Sequence, residues 1–341
     1  MNKVFIRPLS EHGVEPEDLR LAFEWLDWER LIPYDSKVFI KPNLTWPIPL
    51  PGVTTSPKAM ESLVIVLKER TDKIIFGESD GGYHAYEVEE AFEGHQLYAL
   101  RDKYGVEVVN LTDQPSEKVE GIIGGKKVSA NLPSFLLHDI DVFITMPVPK
   151  THVMTKVSLA FKNQWGCIPS PMRLREHYDF DHKIILINRL LQPKLAIVDG
   201  TYFLNGAGPM TGDAIRMNLL IVGDDIGVTS SITCEIMGFS SNSIRHFKVA
   251  KREGLFPHTL DEIATNVPIS QFTSFQFDMR RALLDWISLL GFRCKFLTHL
   301  FWDSSLANIF HKFLALARKN PKIERILYGK AGQPPTWIEG G

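Results

Sequence analysis

Lys37-Val38-Phe39-Ile40-Lys41-Pro42-Asn43 reads as an apolar strand that stops abruptly on a cation, a proline and an amide. After a proline-rich stretch over residues 46–51, apolar residues at 60, 63, 64, 66 and 67 recur with a helical period within 57–70, and 73–76 returns to strand. Two strands joined by a helix of that length form a βαβ unit, whose strands run parallel. The alternation continues outward. A helical pattern covers 86–104, strands follow at 106–111 and 142–146, a helix at 183–191, strands at 194–198 and 218–222, and a helix at 225–237. This predicts an α/β fold: a layered, mainly parallel sheet with helices on both faces over residues 1–270, plus a C-terminal helical extension over 275–330.

The 341 residues are 44% apolar and 23% charged, with no repeat or low-complexity tract, and the mean hydropathy is −0.05. Such a composition excludes wholesale disorder, a coiled-coil rod and a polytopic membrane protein. No apolar run approaches the ~18 residues of a spanning helix, and Met1 to Pro8 lacks the long apolar stretch of a secretory signal, which predicts a cytoplasmic chain. A net charge of −2, from 38 basic and 40 acidic residues, argues against a nucleic-acid partner. Cys167, Cys234 and Cys294 are too far apart for a disulfide framework or a Cys-x-x-Cys knot, so reduced thiols are expected.

In an open α/β sheet the ligand site forms at the carboxyl ends of the strands, so the polar residues at those ends are the candidates. They are Lys41 and Asn43, then Glu78, Ser79 and Asp80, then Lys150, Thr151 and His152, then Asp199 and Gly200. Pro42 fixes the chain direction so that a cation and an amide leave the strand together, which suits an anionic ligand. Lys150, His152, Lys156, Lys162 and Asn163 fall within fourteen positions of an otherwise apolar segment. Burial there would lower a lysine pKa toward general-base or Schiff-base chemistry, whereas a bound anion would keep it charged. Cys167 reads as a small core residue, with a thiolate nucleophile as the alternative. Arg173 and His177 lie in an aperiodic stretch, 168–181, that reads as a loop over the cleft. His177 and His182 with Asp179 and Asp181 between them form a weak metal pattern, and Asp181 reads better as a helix cap. Gly206, Gly208 and Gly212 make a loop whose amides could approach a ligand, although it matches neither a Walker loop nor a dinucleotide fingerprint.

The ordered set Phe39-Ile40-Lys41-Pro42-Asn43, Thr54-Thr55, Gly77-Glu78-Ser79, Pro149-Lys150-Thr151-His152, Phe161-Lys162-Asn163 with Gly166, His177, Ile197-Val198-Asp199-Gly200 and Gly206-x-Gly208-Pro209-x-x-Gly212 resembles the family called domain of unknown function 362. The likeness spans about residues 35–240. That family has no generally assigned reaction. The resemblance implies that Lys41, Asn43, Glu78, Lys150, His152, Lys162, Asn163, His177 and Asp199 line a site. Many relatives carry a ferredoxin-like module with clustered cysteines. The three scattered cysteines depart from that pattern, so no iron–sulfur cluster is expected.

These readings predict an enzyme acting on a small anionic metabolite. Lys41, Lys162, Asn43, Glu78, Ser79, Asn163, Arg173, Asp199, Gly206 and Gly208 would bind it, and His152, Lys150 and His177 would carry the catalysis. A non-catalytic anion- or nucleotide-binding module is one alternative, and a metal-dependent isomerase or racemase is another. In the C-terminal extension, Leu283, Leu284, Trp286, Ile287, Leu289, Leu290 and Phe292 cover too much of a helix to face water. Packing on the chain's own core is expected, with a homodimer or a protein partner as the alternative. From Phe275 onward ten Lys/Arg stand against five Asp/Glu, yet Asp278, Asp285 and Asp303 dilute the basic face and argue against a membrane surface.

Overall fold

The computed structural model describes residues 2–292, 294–302 and 304. Twelve strands are present among them: β1 (Asn2–Pro8), β2 (Val38–Pro42), β3 (Ile74–Glu78), β4 (Glu107–Asn110), β5 (Ser116–Ile123), β6 (Lys126–Pro133), β7 (Val142–Met146), β8 (Lys150–His152), β9 (Lys156–Ser158), β10 (Leu195–Asn205), β11 (Asp213–Gly223) and β12 (Ile263–Thr265). Ten of them form one sheet in the order β12-β1-β11-β10-β7-β2-β3-β4, with β8 and β9 branching from β10. From β10 to β4 every neighbour is parallel, while β11 pairs antiparallel with both β10 and β1. The fold is thus α/β with a large, mostly parallel sheet flanked by helices.

Fully buried central strands explain why the sequence runs are apolar rather than alternating. Val38 and Ile40 of β2, and Val142 and Ile144 of β7, pack on one face with the helices Pro16–Leu26, Pro57–Leu67, Val88–Gly94 and Leu97–Tyr104. Phe39 and Phe143 point the other way, into a second core with Phe180–Leu191, Ile226–Ile236 and Arg245–Arg252. Ser56 caps the Pro57–Leu67 helix through the Ala59 amide, with Pro57 in its first turn. Asp225 caps Ile226–Ile236 through Val228 N.

Several elements differ from the sequence expectation. The helix expected over 86–104 is two helices, because Gln96 takes a left-handed conformation (φ 63°) and Gly94 lies flat against the Pro47 carbonyl. A Cβ on Gly94 would sit 2.1 Å from that oxygen. The stretch 168–181 holds a 3-10 helix, Arg173–Asp179. β10 continues to Asn205, seven residues past the expected end, through a register shift between Gly200 and Tyr202. The strand β1 and the β5–β6 hairpin, turned at Gly124-Gly125, were not apparent from the sequence. The helices Leu283–Gly291 and Lys295–Trp302 occupy the described part of the C-terminal extension. The portion of that extension over 305–330 lies outside the described residues. No helix among the described residues is long and apolar enough to cross a membrane.

Candidate functional site

The carboxyl ends of β2, β3 and β7 lie on the same sheet edge, and each delivers polar groups there. Lys41 Nζ pairs with the Glu78 carboxylate of the neighbouring strand and also donates to the Pro42 carbonyl at 2.8 Å. The Glu78 carboxylate further accepts the amides of Leu44 (3.3 Å) and Ser79 (3.1 Å), so both of its oxygens are engaged. Gly166 packs against this pair: a Cβ there would come 2.7 Å from Glu78 Oε1 and 3.0 Å from Lys41 Nζ, so a larger residue would have to displace the pair.

Beyond β7 the chain turns through Pro147-Val148-Pro149 into β8, whose first residue is Lys150. Lys150 is buried and donates to the Val53 carbonyl and to Asn43 Oδ1 (3.2 Å). Asn43 is in turn held by Thr55, whose Oγ1 accepts the Asn43 amide at 2.8 Å and donates to the Met146 carbonyl. Burial, reinforced by Lys162, pushes the Lys150 ammonium well below the ordinary lysine range, with Glu78 opposing.

Lys162 and Asn163 come from the one-turn helix Ala160–Asn163. Asn163 Nδ2 donates to the Lys41 carbonyl and to Thr145 Oγ1, both at 2.9 Å. The next residue, Gln164, joins Thr145 to Asn188, and Asn188 donates back to the Phe161 carbonyl at 2.8 Å. This buried amide network fixes the turn that carries Lys162, and the role of Asn188 left no mark in the sequence. Lys162 Nζ lies 5.9 Å from the Phe180 ring centroid and has neither an ion pair nor a hydrogen-bond acceptor among the described residues. Burial first, and Arg173 second, bring its pKa down to about 7. Arg173 reaches in from the 3-10 helix, donating to the Asp80 carbonyl at 3.0 Å.

These groups line a half-open cavity of about 130 Å³. Lys41, Asn43, Glu78, Lys150, Lys162, Asn163 and Arg173 line it, together with Tyr86, Trp165 and Gly166. Four basic side chains therefore face a single carboxylate. Tyr86 carries no signal in the sequence because it opens the stretch that reads as a helix, 86–104, whereas the helix starts at Val88. Its hydroxyl donates to the Leu44 carbonyl, and burial together with Glu78 raises its pKa.

Other expected site residues lie elsewhere. Ser79 is buried, its hydroxyl donating to the Gly166 carbonyl at 2.7 Å. Asp199 sits midway along β10, accepts the Ser56 amide and the Thr201 hydroxyl (both 2.8 Å), and borders a different cavity, with Leu50 and Thr54. The Gly206–Gly212 loop braces β8 and brings Pro209 to the lining of the small cavity. Gly206 N donates to the Asp278 carbonyl, the Gly208 carbonyl accepts Val153 N, and a Gly208 Cβ would lie 2.0 Å from the Thr151 oxygen. His152 is buried on β8 with Nδ1 accepting the Met154 amide at 3.1 Å, and burial holds its pKa well below the ordinary value. His177 donates from Nδ1 to the Leu174 carbonyl (2.7 Å) and stacks among Trp165, Phe180 and Phe292; burial brings its pKa to about 4. It borders a larger cavity of about 570 Å³, lined also by Lys156, Arg245, Arg281 and Leu289.

Asp179 pairs with Lys126 and Asp181 with Arg245 (2.9 Å), so the acids between His177 and His182 are separately engaged. Among the described residues no three His, Cys, Asp or Glu side chains gather in a way that could hold a metal. Cys167 is buried, and desolvation raises its pKa to about 12, which fits the core role and not a thiolate.

The model of a family described as "Domain of unknown function (DUF362)" matches residues 38–235. A thylakoid-associated protein of Synechocystis sp. is 28% identical over 126 residues, covering 35% of this chain and 39% of that protein. The aligned region thus spans about two fifths of the curated relative's length. Among solved structures, a protein from Thermotoga maritima aligns over 56% of this chain and 51% of its own at 14% identity and a TM-score of 0.35. The lactate racemase apoprotein from Thermoanaerobacterium thermosaccharolyticum aligns over 58% and 50% at 13% identity and a TM-score of 0.38.

Proposed function

Because the chain belongs to the domain of unknown function 362 family, whose name assigns no reaction, we propose its function from the pocket itself: it is an enzyme that binds a small anionic metabolite, a carboxylate or a phosphate, and moves a proton through Lys162. The carrying observation is the excess of Lys41, Lys150, Lys162 and Arg173 over Glu78 around one 130 Å³ cavity at the carboxyl edge of the sheet. Lys162 and Arg173 are half-buried, and in such a partly desolvated space an anion gains more from each positive charge than it would in water.

Within the pocket the charges divide by commitment. Lys41 is neutralised by Glu78, and Lys150 is tied to two neutral oxygens. Lys162 and Arg173 are the groups placed to meet a ligand's charge. A general acid or base works best with a pKa near the operating pH, and Lys162 at about 7 meets that condition. The histidines are less suited. His152 already uses Nδ1 as an acceptor, and the His177 ring is packed between aromatic neighbours beside the other cavity.

Calorimetric titration with inorganic phosphate, oxalate and pyruvate tests the reading. A charge-assisted hydrogen bond is worth about 1.5–3 kcal/mol, so Lys162→Met or Arg173→Met should weaken the best of these anions by about ten- to a hundredfold. His152→Ala should leave affinity within about twofold, a change of under ~0.5 kcal/mol. Undiminished affinity in the Lys162→Met, Arg173→Met double variant would overturn the assignment.

A further inference from the structure

Building on the reading of this cavity as a small-anion site, we propose that Lys162 is a covalent residue whose amine forms an imine with the carbonyl of a small oxo acid held in the pocket. Three amines line the cavity, and their surroundings separate them. Lys41 Nζ is fixed by the Glu78 carboxylate and the Pro42 carbonyl. Lys150 Nζ, 1% exposed as a residue, is fixed by the Val53 carbonyl and Asn43 Oδ1. Lys162 Nζ has no such acceptor among the described residues, and it stands over the Phe180 ring on a backbone turn locked by Asn163, Gln164 and Asn188. A rigidly placed, uncommitted amine beside a cation cluster is what a carbonyl-bearing anion requires. Arg173 takes the carboxylate, and the amine meets the adjacent carbonyl carbon.

The step balances with no further reactant. The amine lone pair attacks the carbonyl carbon, and the oxygen takes a proton to give a carbinolamine. That oxygen then leaves as water while the C=N bond forms, so both amine hydrogens end on the released water. Only the neutral amine can begin this, and burial with Arg173 nearby keeps about half of Lys162 neutral near pH 7, against about one part in three thousand for a lysine at 10.5. The substrate class follows from the basic lining beside an uncommitted amine: a 2-oxo acid or similar oxo acid, whose carboxylate and carbonyl are adjacent.

Incubating the full chain with pyruvate and sodium cyanoborohydride, then mapping tryptic peptides by mass, reads the outcome. The reduced adduct is expected on Lys162 in at least about tenfold excess over any surface lysine, a margin well inside the difference in neutral fraction. Lys162→Arg, which keeps the charge but cannot form the imine, should lose the adduct and still bind pyruvate by calorimetry, more weakly than the wild type. Saturating inorganic phosphate should suppress labelling of the wild type. Pyruvate binding without labelling at Lys162, or labelling spread evenly over lysines or placed on Lys150, overturns the imine while leaving the anion site intact. Absence of binding by every small anion overturns the underlying reading as well.

Discussion

Replacing Glu78 by alanine removes the one carboxylate in the pocket and tests the reasoning about the site's architecture. The Lys41 and Glu78 side chains are 1% and 7% exposed, so the pair is shielded from water and from salt. With the carboxylate gone, the Lys41 ammonium retains only the Pro42 carbonyl at 2.8 Å, and the amides of Leu44 and Ser79 lose their acceptor. Breaking a buried pair from one side costs about 3–5 kcal/mol, or two to three and a half powers of ten in the folding equilibrium at about 1.4 kcal/mol each. Removing both partners, as in Lys41→Met with Glu78→Leu, should cost much less than the sum of the single changes, because no buried charge is left unpaired. Urea denaturation followed by tryptophan fluorescence at pH 7, applied to Glu78→Ala, Lys41→Met, Glu78→Leu and the double variant, gives the values. A Glu78→Ala loss below about 1 kcal/mol, the range of exposed pairs, or additive single effects, would refute the claim that the pair is buried and coupled.

Other outcomes follow from the same geometry. Lys162 falls from 10.5 to about 7 on folding, so between those pH values the unfolded chain holds the extra proton and stability rises with pH; subtracting the profile of Lys162→Met should remove that rise. His177 and His246 are held at about 4 and about 3 by burial, so as pH falls below 6.5 the unfolded chain takes protons first and stability falls; His246→Phe should flatten this acid slope, measured as urea midpoint against pH. Gly166→Ala forces a methyl to 2.7 Å from Glu78 Oε1 and should cost about 1–3 kcal/mol together with a loss of anion affinity. Gly208→Ala, with its Cβ 2.0 Å from the Thr151 carbonyl oxygen, should lower the melting temperature without a direct charge change at the pocket.

The sheet was legible where its strands are buried on both faces. Val142–Met146 is apolar at nearly every position because helices cover it from either side, and that run needs no partner to be recognised. β1 was not legible, since its pairing is set by β11, more than two hundred residues away, and only Val4, Phe5 and Ile6 are fully buried. In the β5–β6 hairpin Glu117 and Gly121 share the inner face with Val119 and Ile123 while Ile122 on the outer face is exposed, which breaks the alternation, and Gly124-Gly125 is its plainest signal. For the site, polar groups at the ends of β2 and β3 and at the start of β8 proved readable because parallel strands present their carboxyl ends on one edge. Asp199 was misplaced for a related reason: the apolar run stops at Val198, but β10 extends to Asn205, so Asp199 is an interior strand residue that holds Ser56 and Thr201. The buried amides Gln164 and Asn188, which set the direction of Lys162, are paired only by tertiary contact.

The central claim, that a small anion sits among Lys150, Lys162 and Arg173, is tested most directly by locating one. Crystals soaked in selenate and measured at the selenium edge should show an anomalous peak within hydrogen-bonding distance of Lys162 Nζ and the Arg173 guanidinium, and that peak should vanish in Lys162→Met, Arg173→Met crystals. A peak confined to the larger cavity beside Lys156, Arg245 and Arg281, or no ordered anion in the smaller one at saturating selenate, would contradict it.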